Sequence, residues 1–159
     1  MTKTIFTFYF VLLFISCGSN GTVYDEHVKL PDNLEWYSSD ARVFAVPIND
    51  NSQPMEFIIK FRYATGFQYD HMTLRLTETD PEGNSVIRDV SFKVRDENGE
   101  FIGEAGYDII DLEYVLDKEK QFPVLGTYTY RVEQTMPTDP LYFAMEVGLI
   151  VRKIEGLVH

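Results

Sequence analysis

This sequence predicts an all-β fold: an antiparallel β-sandwich of six to eight short strands, Ig-like or jelly-roll-like in style. Three observations carry that expectation. Apolar residues recur at every second position rather than every 3.6. Aromatic residues abound, with 12 Phe and 10 Tyr among 159 residues, and with the β-branched types they suit a pleated, half-buried surface. Asp, Asn, Pro and Gly, the residues that build turns, separate the runs.

Taken in order, the chain opens on Met1-Thr2-Lys3, a short positive start. Ile5 to Ile15 (IFTFYFVLLFI) follows as an apolar run of 11 residues. That is too short for a membrane-spanning helix and right for the core of a signal peptide. Ser16 precedes Cys17, the only cysteine, and Gly18-Ser19-Asn20-Gly21 comes next. The layout is similar to a bacterial lipoprotein signal, except that Phe14 stands three residues before the cysteine, where leucine is usual. In such signals the thiol is lipidated and cleavage leaves the cysteine first. A single thiol closes no intramolecular disulfide, and an exported protein gains little from a free one. Residues 1–16 are therefore expected to be removed. Cys17 is expected to carry two or three acyl chains, palmitate among them, as the only covalent group. One chain binds marginally, at ~0.8 kcal/mol per buried methylene, so several are needed for a lasting anchor. Residues 17–40, rich in Ser, Asn, Gly and Asp, are expected to be a lipidated tether, and 41–156 a single domain.

Within that domain, Arg42 to Ile48 reads as a strand whose Pro47 removes a donor and suggests an edge position. From Met55 to Tyr63, the residues Met55, Phe57, Ile59, Phe61 and Tyr63 share one face. Glu56, Lys60 and Arg62 take the other. Met72, Leu74 and Leu76 alternate with Thr73, Arg75 and Thr77. Asp80-Pro81-Glu82-Gly83 has the residue placement of a type I turn. Val90, Phe92 and Val94 alternate with Ser91, Lys93 and Arg95. Asp96-Glu97-Asn98-Gly99 is a second turn, leading to a short strand at Glu100–Ile102. Tyr107 to Leu116 is the one stretch that could form a helical turn. Tyr128, Tyr130 and Val132, then Val147, Leu149 and Val151, complete the series.

Lys and Arg number 14 and Asp and Glu 25, a net charge of −11. That balance argues against nucleic acid and against adhesion to anionic lipid. His27, His71 and His159 are far apart, and no zinc spacing, P-loop, dinucleotide fingerprint or Gly-x-Ser-x-Gly elbow occurs. No metal site and no catalytic residue is expected. Asp96 to Glu100 resembles a fragment of a calcium loop but lacks EF-hand spacing, so a solvated hairpin turn is preferred. Asp108, Asp111 and Glu113 are read the same way. A paired-carboxylate hydrolase would need a pocket holding two carboxylates about 5–9.5 Å apart.

The residues singled out for partner or ligand contact are Trp36, Tyr37, Tyr63, Phe67 and Tyr69. Trp36-Tyr37 ends the tether, where an exposed pair could stack on a sugar ring, although entry into the core is the commoner use of such residues. Tyr63 to His71 is an unusually aromatic loop between two strands. An exposed aromatic platform here would make the chain a carbohydrate-binding or adhesive surface lipoprotein.

Several stretches together carry a resemblance. A lipoprotein cysteine is followed by Val23-Tyr24-Asp25-Glu26, Trp36 and Phe57-Ile58-Ile59-Lys60-Phe61-Arg62. Asp96-Glu97-Asn98-Gly99-Glu100-Phe101-Ile102-Gly103 and Gly106-Tyr107-Asp108-Ile109 come next. Gln121-Phe122-Pro123, the run Gly126-Thr127-Tyr128-Thr129-Tyr130-Arg131-Val132-Glu133-Gln134-Thr135-Met136, and Val147-Gly148-Leu149-Ile150-Val151 complete it. In order and spacing this resembles the gliding-motility lipoprotein GldH family, with Phe101 where much of the family has tryptophan. The resemblance implies a non-catalytic, cofactor-free lipoprotein of the cell envelope. Cys17 is the only functional position it transfers. The partners it implies are the membrane, through the acyl chains, and other envelope motility or secretion proteins. The segment after Cys17 lacks an acidic run resembling a surface-export signal. The expected location is therefore the outer membrane, facing the periplasm.

Overall fold

A computed structural model describes residues 21–154, so the signal segment and Cys17 lie outside the described residues. Eleven strands form among the described residues. They are β1 (Thr22–Lys29), β2 (Glu35–Trp36), β3 (Arg42–Ile48), β4 (Met55–Ala64), β5 (His71–Thr79) and β6 (Ser85–Lys93). β7 (Glu104–Ala105), β8 (Ile109–Lys120), β9 (Gly126–Gln134), β10 (Leu141–Tyr142) and β11 (Ala144–Lys153) follow. One sheet runs β1-β11-β4-β8-β7, the facing sheet β3-β9-β5-β6, and β10 pairs with β2. Every pairing is antiparallel. The fold is the expected all-β sandwich.

The long strands pair in a nested way: first with last (β1 with β11), then β3 with β9, β4 with β8, and β5 with β6. Successive pairs fall in alternate sheets, so the chain is one long hairpin wrapped around a core. That is jelly-roll connectivity rather than Ig-like. The alternation read from the sequence faces inward as expected. Met55, Phe57, Ile59, Phe61 and Tyr63 from β4 meet Leu74, Leu76, Phe92, Tyr128, Tyr130 and Val132, all buried. Phe57 lies 4.8 Å from Tyr130 and Phe61 6.2 Å from Phe92, centroid to centroid. Each such side chain contributes roughly 1.5–3 kcal/mol by burial. Pro47 sits on β3, an edge of its sheet, where a missing donor costs no ladder bond.

Three expectations need correcting. The tether ends early, because Thr22–Lys29 is a strand of the sandwich itself. Tyr24 and Leu30 are buried and Val28 packs on the core, but Glu26, at the alternate position between Tyr24 and Val28, is an exposed acid that masks the alternation. The Tyr24 hydroxyl donates to the Glu26 carboxylate at 3.0 Å, which accommodates that acid. Tyr107 to Leu116 forms no helical turn. Its Ile110, Leu112, Tyr114 and Leu116 line the inner face of β8. Glu100–Ile102 is not a strand but a single bridge, Phe101 to Arg95, and the ladder resumes in β7.

Candidate functional site

The strands run between two ends of different character. At one end Lys153 N–H donates to Gly21 (2.9 Å), and Lys153 Nζ meets Asp50 at 2.8 Å. Asn51 reaches Phe122 O at 3.0 Å. This end is made of tight connections, 49–54, 80–84 and 121–125. The chain enters it at Gly21 and leaves it at Lys153.

The opposite end gathers the four long connections, 30–41, 64–70, 94–108 and 135–143. They are tied to one another rather than hanging free. Phe143 N–H donates to Leu34 O and Ala64 N–H to Phe143 O, both at 2.9 Å. Ser38 donates twice to the Asp139 carboxylate (2.8 and 2.7 Å), holding that carboxyl below its ordinary pKa. Tyr69 donates to Thr138 at 2.9 Å. Gln134, the one buried polar side chain among the described residues, donates to Trp36 O (3.3 Å) and accepts from Met136 N–H (2.7 Å). Gly66 lies under the Phe143 ring, 2.6 Å from where a Cβ would sit, so only glycine admits that ring.

All five aromatics singled out from the sequence converge on this end, but in two layers. Trp36, Tyr63 and Phe67 are fully buried, which corrects their expected role from contact to support. Trp36 Nε1 donates to Asp40 O at 2.7 Å. The Tyr63 hydroxyl donates toward Val94 O (2.9 Å) and Ile102 O (3.0 Å), and burial pushes its pKa up to about 12. Phe67 packs on Tyr63 at 5.4 Å and on Tyr69 at 5.8 Å. Arg95 fastens the layer by donating to Phe67 O and Gly99 O and lying 3.8 Å over the Phe101 ring. With those rings inside, the platform required of a sugar binder is missing from Trp36, Tyr63 and Phe67.

The outer layer is Tyr37 (44% exposed), the half-buried Tyr69, and two residues the sequence reading passed over, Tyr142 (51%) and Tyr107 (98%). Tyr142 lies beside Glu35 on the β2–β10 ladder, and Tyr37 donates to Glu35 at 3.1 Å. No sequence signal separates these tyrosines from the buried ones, because exposure here depends on long-range loop packing. Gln134 did carry a signal, since it continues the inward row Tyr128, Tyr130, Val132. Asp32, Glu97, Glu100, Glu104 and Asp108 are exposed on the same connections. The surface therefore offers aromatic rings among carboxylates, which is chemistry for basic side chains.

Several other acidic groups are tied into the fold. Asp96 accepts from the backbone N–H groups of Asn98 and Glu100, as a hairpin turn requires. A concavity of about 530 Å³ on the outer face of the five-stranded sheet contains His27, Lys60, Arg62, Asp111, Glu113 and Glu146. There Arg62 holds Asp111 with two bonds (2.6 and 3.0 Å) and Glu146 with a third (3.1 Å). Among the described residues no cluster of three or more His, Cys, Asp and Glu is arranged to hold a metal ion.

A family model described as GldH lipoprotein matches residues 22–151. A gliding motility lipoprotein GldH homolog of Christiangramia forsetii is 21% identical over 133 residues, 84% of this chain and 80% of that protein. A chain in the structure of infectious bursal disease virus Gx strain is 13% identical. The alignment covers 97% of this chain and 39% of the viral one at a TM-score of 0.29, too loose a likeness to bear on the fold.

Proposed function

The chain belongs to the GldH lipoprotein family, and from that premise we propose that it is a non-catalytic, lipid-anchored interaction component of the gliding-motility apparatus. Its proposed location is the outer membrane, facing the periplasm. The observation that carries the reading is the polarity of the sandwich. Cys17 precedes Gly21 by four residues, and Gly21 lies at the end opposite the long loops. Four extended residues span at most about 14 Å. With Cys17 acylated, the tight-turn end is held against the membrane and the tyrosine-bearing loops face away from it. That outward end contacts a basic protein partner. Exposed tyrosines supply rigid apolar contact, and the carboxylates supply steering and register.

The test replaces the chromosomal gene with variants and measures colony spreading, membrane partition and crosslinked partners. Cys17→Ser is expected to lose membrane partition and spreading together. The triple variant Tyr37→Ala, Tyr107→Ala, Tyr142→Ala is expected to stay folded and membrane-bound while losing both a crosslinked partner and spreading. Normal spreading by the triple variant would move the contact off this end, and normal spreading by Cys17→Ser would remove the anchored reading.

A further inference from the structure

We propose that the free edge of β6 is a docking strand for an extended, basic segment of another protein, added antiparallel or parallel by backbone pairing. A sandwich must protect four lateral edges from unwanted pairing. On one side β1 carries a register shift between Thr22 and Tyr24, and β3 carries Pro47. The two also pack against each other. On the other side β8 has two register shifts and is capped at its start by β7. β6 has none of these devices. It pairs with β5 over nine residues without a shift, has no proline, and ends its sheet.

The strand is also sticky where it is bare. Val86 and Ile87 point to opposite faces yet are 60% and 64% exposed. Phe92 stacks on Tyr114 at 4.9 Å, which zips β6 to the facing sheet at its far end, but nothing comparable covers Val86. Two of the three charges on this edge are tied to neighbouring strands, and the third, Lys93, stands at its far end beyond Phe92. Arg88 reaches across to Asp117 (3.1 Å), and Asp89 binds Arg75 on β5 (2.9 Å). In the hairpin Asp80 N–H donates to Asn84 O (2.9 Å), and bonded pairs recur at every second residue of an antiparallel ladder. Val86, Arg88, Val90 and Phe92 thus bond to β5, while Ile87, Asp89 and Ser91 turn their N–H and C=O groups outward. An incoming strand would satisfy those groups and lay apolar side chains over the exposed Val86.

The occupant is a different protein rather than a second copy. A two-fold β6–β6 pairing is antiparallel and would set the two Gly21 ends at opposite ends of the joined sheet. Two chains acylated at Cys17 could not then sit in one membrane. This choice of occupant rests on the anchored reading above, whereas the docking edge itself does not. The strand's own charges, Arg88, Asp89 and Lys93, nearly balance, and the net charge of −11 of the whole chain favours a basic segment over an acidic one.

The experiment adds a synthetic peptide alternating Val with Lys and Thr to the isotope-labelled chain carrying Cys17→Ser, and follows amide exchange by NMR. Slowed exchange at Ile87, Asp89 and Ser91, with Val86, Arg88 and Val90 unchanged, is the expected signature. Ile87→Pro removes an outward N–H without touching the β5 ladder and should weaken peptide binding about tenfold or more. Ile87→Lys keeps the N–H and should weaken it less. Unchanged exchange at the three outward amides, or equal binding by Ile87→Pro, would overturn the docking edge. Photocrosslinking from position 87 of the full acylated chain in cells should then yield an adduct with another protein. An adduct with a second copy of this chain would overturn the choice of occupant alone.

Discussion

Gly148 shows how much one missing methyl group decides. It lies in β11 opposite His27, and a Cβ there would come within 2.6 Å of Glu26 O and 2.8 Å of the His27 Cβ. The Glu26 contact is backbone, so no side-chain rotation relieves it, and β1 must move off β11. Gly148→Ala should cost about 1–3 kcal/mol, the range of overpacking in a closed site, read as a Tm lowered by several degrees in thermal circular dichroism. An unchanged Tm would mean that β1 is not seated on β11 as described. Titration acts at the same scale. Burial holds the Tyr63 hydroxyl up at about 12 and also raises Tyr130, Tyr24 and Tyr128. A raised acid stabilises the fold fully below its unfolded value near 10, and that contribution is lost as pH climbs through the folded value. Asp50, Asp80, Asp96 and Asp139 are lowered by hydrogen bonds from Lys153, Asn84, Glu100 and Ser38 respectively. Their contribution is present above the ordinary carboxylate range and lost as pH falls below it. Stability should therefore be flat from about pH 5 to 9. Above that, the buried tyrosines should ionise in one cooperative step that coincides with loss of β-sheet signal. Gradual ionisation of Tyr24, Tyr63, Tyr128 and Tyr130 with the sheet intact would contradict the buried layer.

At the scale of elements, β1 is the piece that sequence reading misplaced, and it yields a direct test. Removing residues 22–30 strips Tyr24, Val28 and Leu30 from the core and bares the whole edge of β11. Such a truncation should fail to give a cooperative thermal transition, whereas a tether could be deleted without effect. β4, β5 and β9 were legible from long apolar inner rows and the second half of β6 from Val90 and Phe92, while Arg88 interrupts the row of β6 before them; the β5–β6 turn adds unambiguous Asp-Pro-Gly chemistry. β1 was hidden by a single exposed acid, Glu26, that interrupts its row of Tyr24 and Val28. β8 was hidden because Ile109 and Val115 put apolar residues on both of its faces, so no single period stood out. The loop end was half legible. Trp36, Tyr63 and Phe67 were visible as an aromatic concentration, but whether a ring supports a surface or forms it is fixed by partners distant in sequence. Val94 and Ile102 fix it for Tyr63, and Asp40 and Gln134 for Trp36.

For the whole molecule, nested pairing and polarity are linked. Because the first long strand pairs with the last, both described ends of the chain meet at one end of the sandwich, and every long loop not bound by tight turns is pushed to the other. The lipid proposed on Cys17 would then set distance as well as location, since the residues between the thiol and β1 are too few to let the domain roam. In that arrangement the standoff of the loop end would be set by strand length, near 3.3 Å per residue along strands such as the ten-residue β4. This separates anchoring from positioning. Inserting roughly 20 Gly and Ser residues between Cys17 and Thr22 would add a coil of about 25 Å r.m.s. length. Such an insertion touches no core residue, so Tm and membrane partition should be unchanged. If the rigid standoff is what presents the tyrosine loops to a membrane-bound partner, spreading and partner crosslinking should both fall. A linker variant that spreads normally would show that the anchor only confines the domain, and would leave the loop contacts to be tested by the tyrosine substitutions alone.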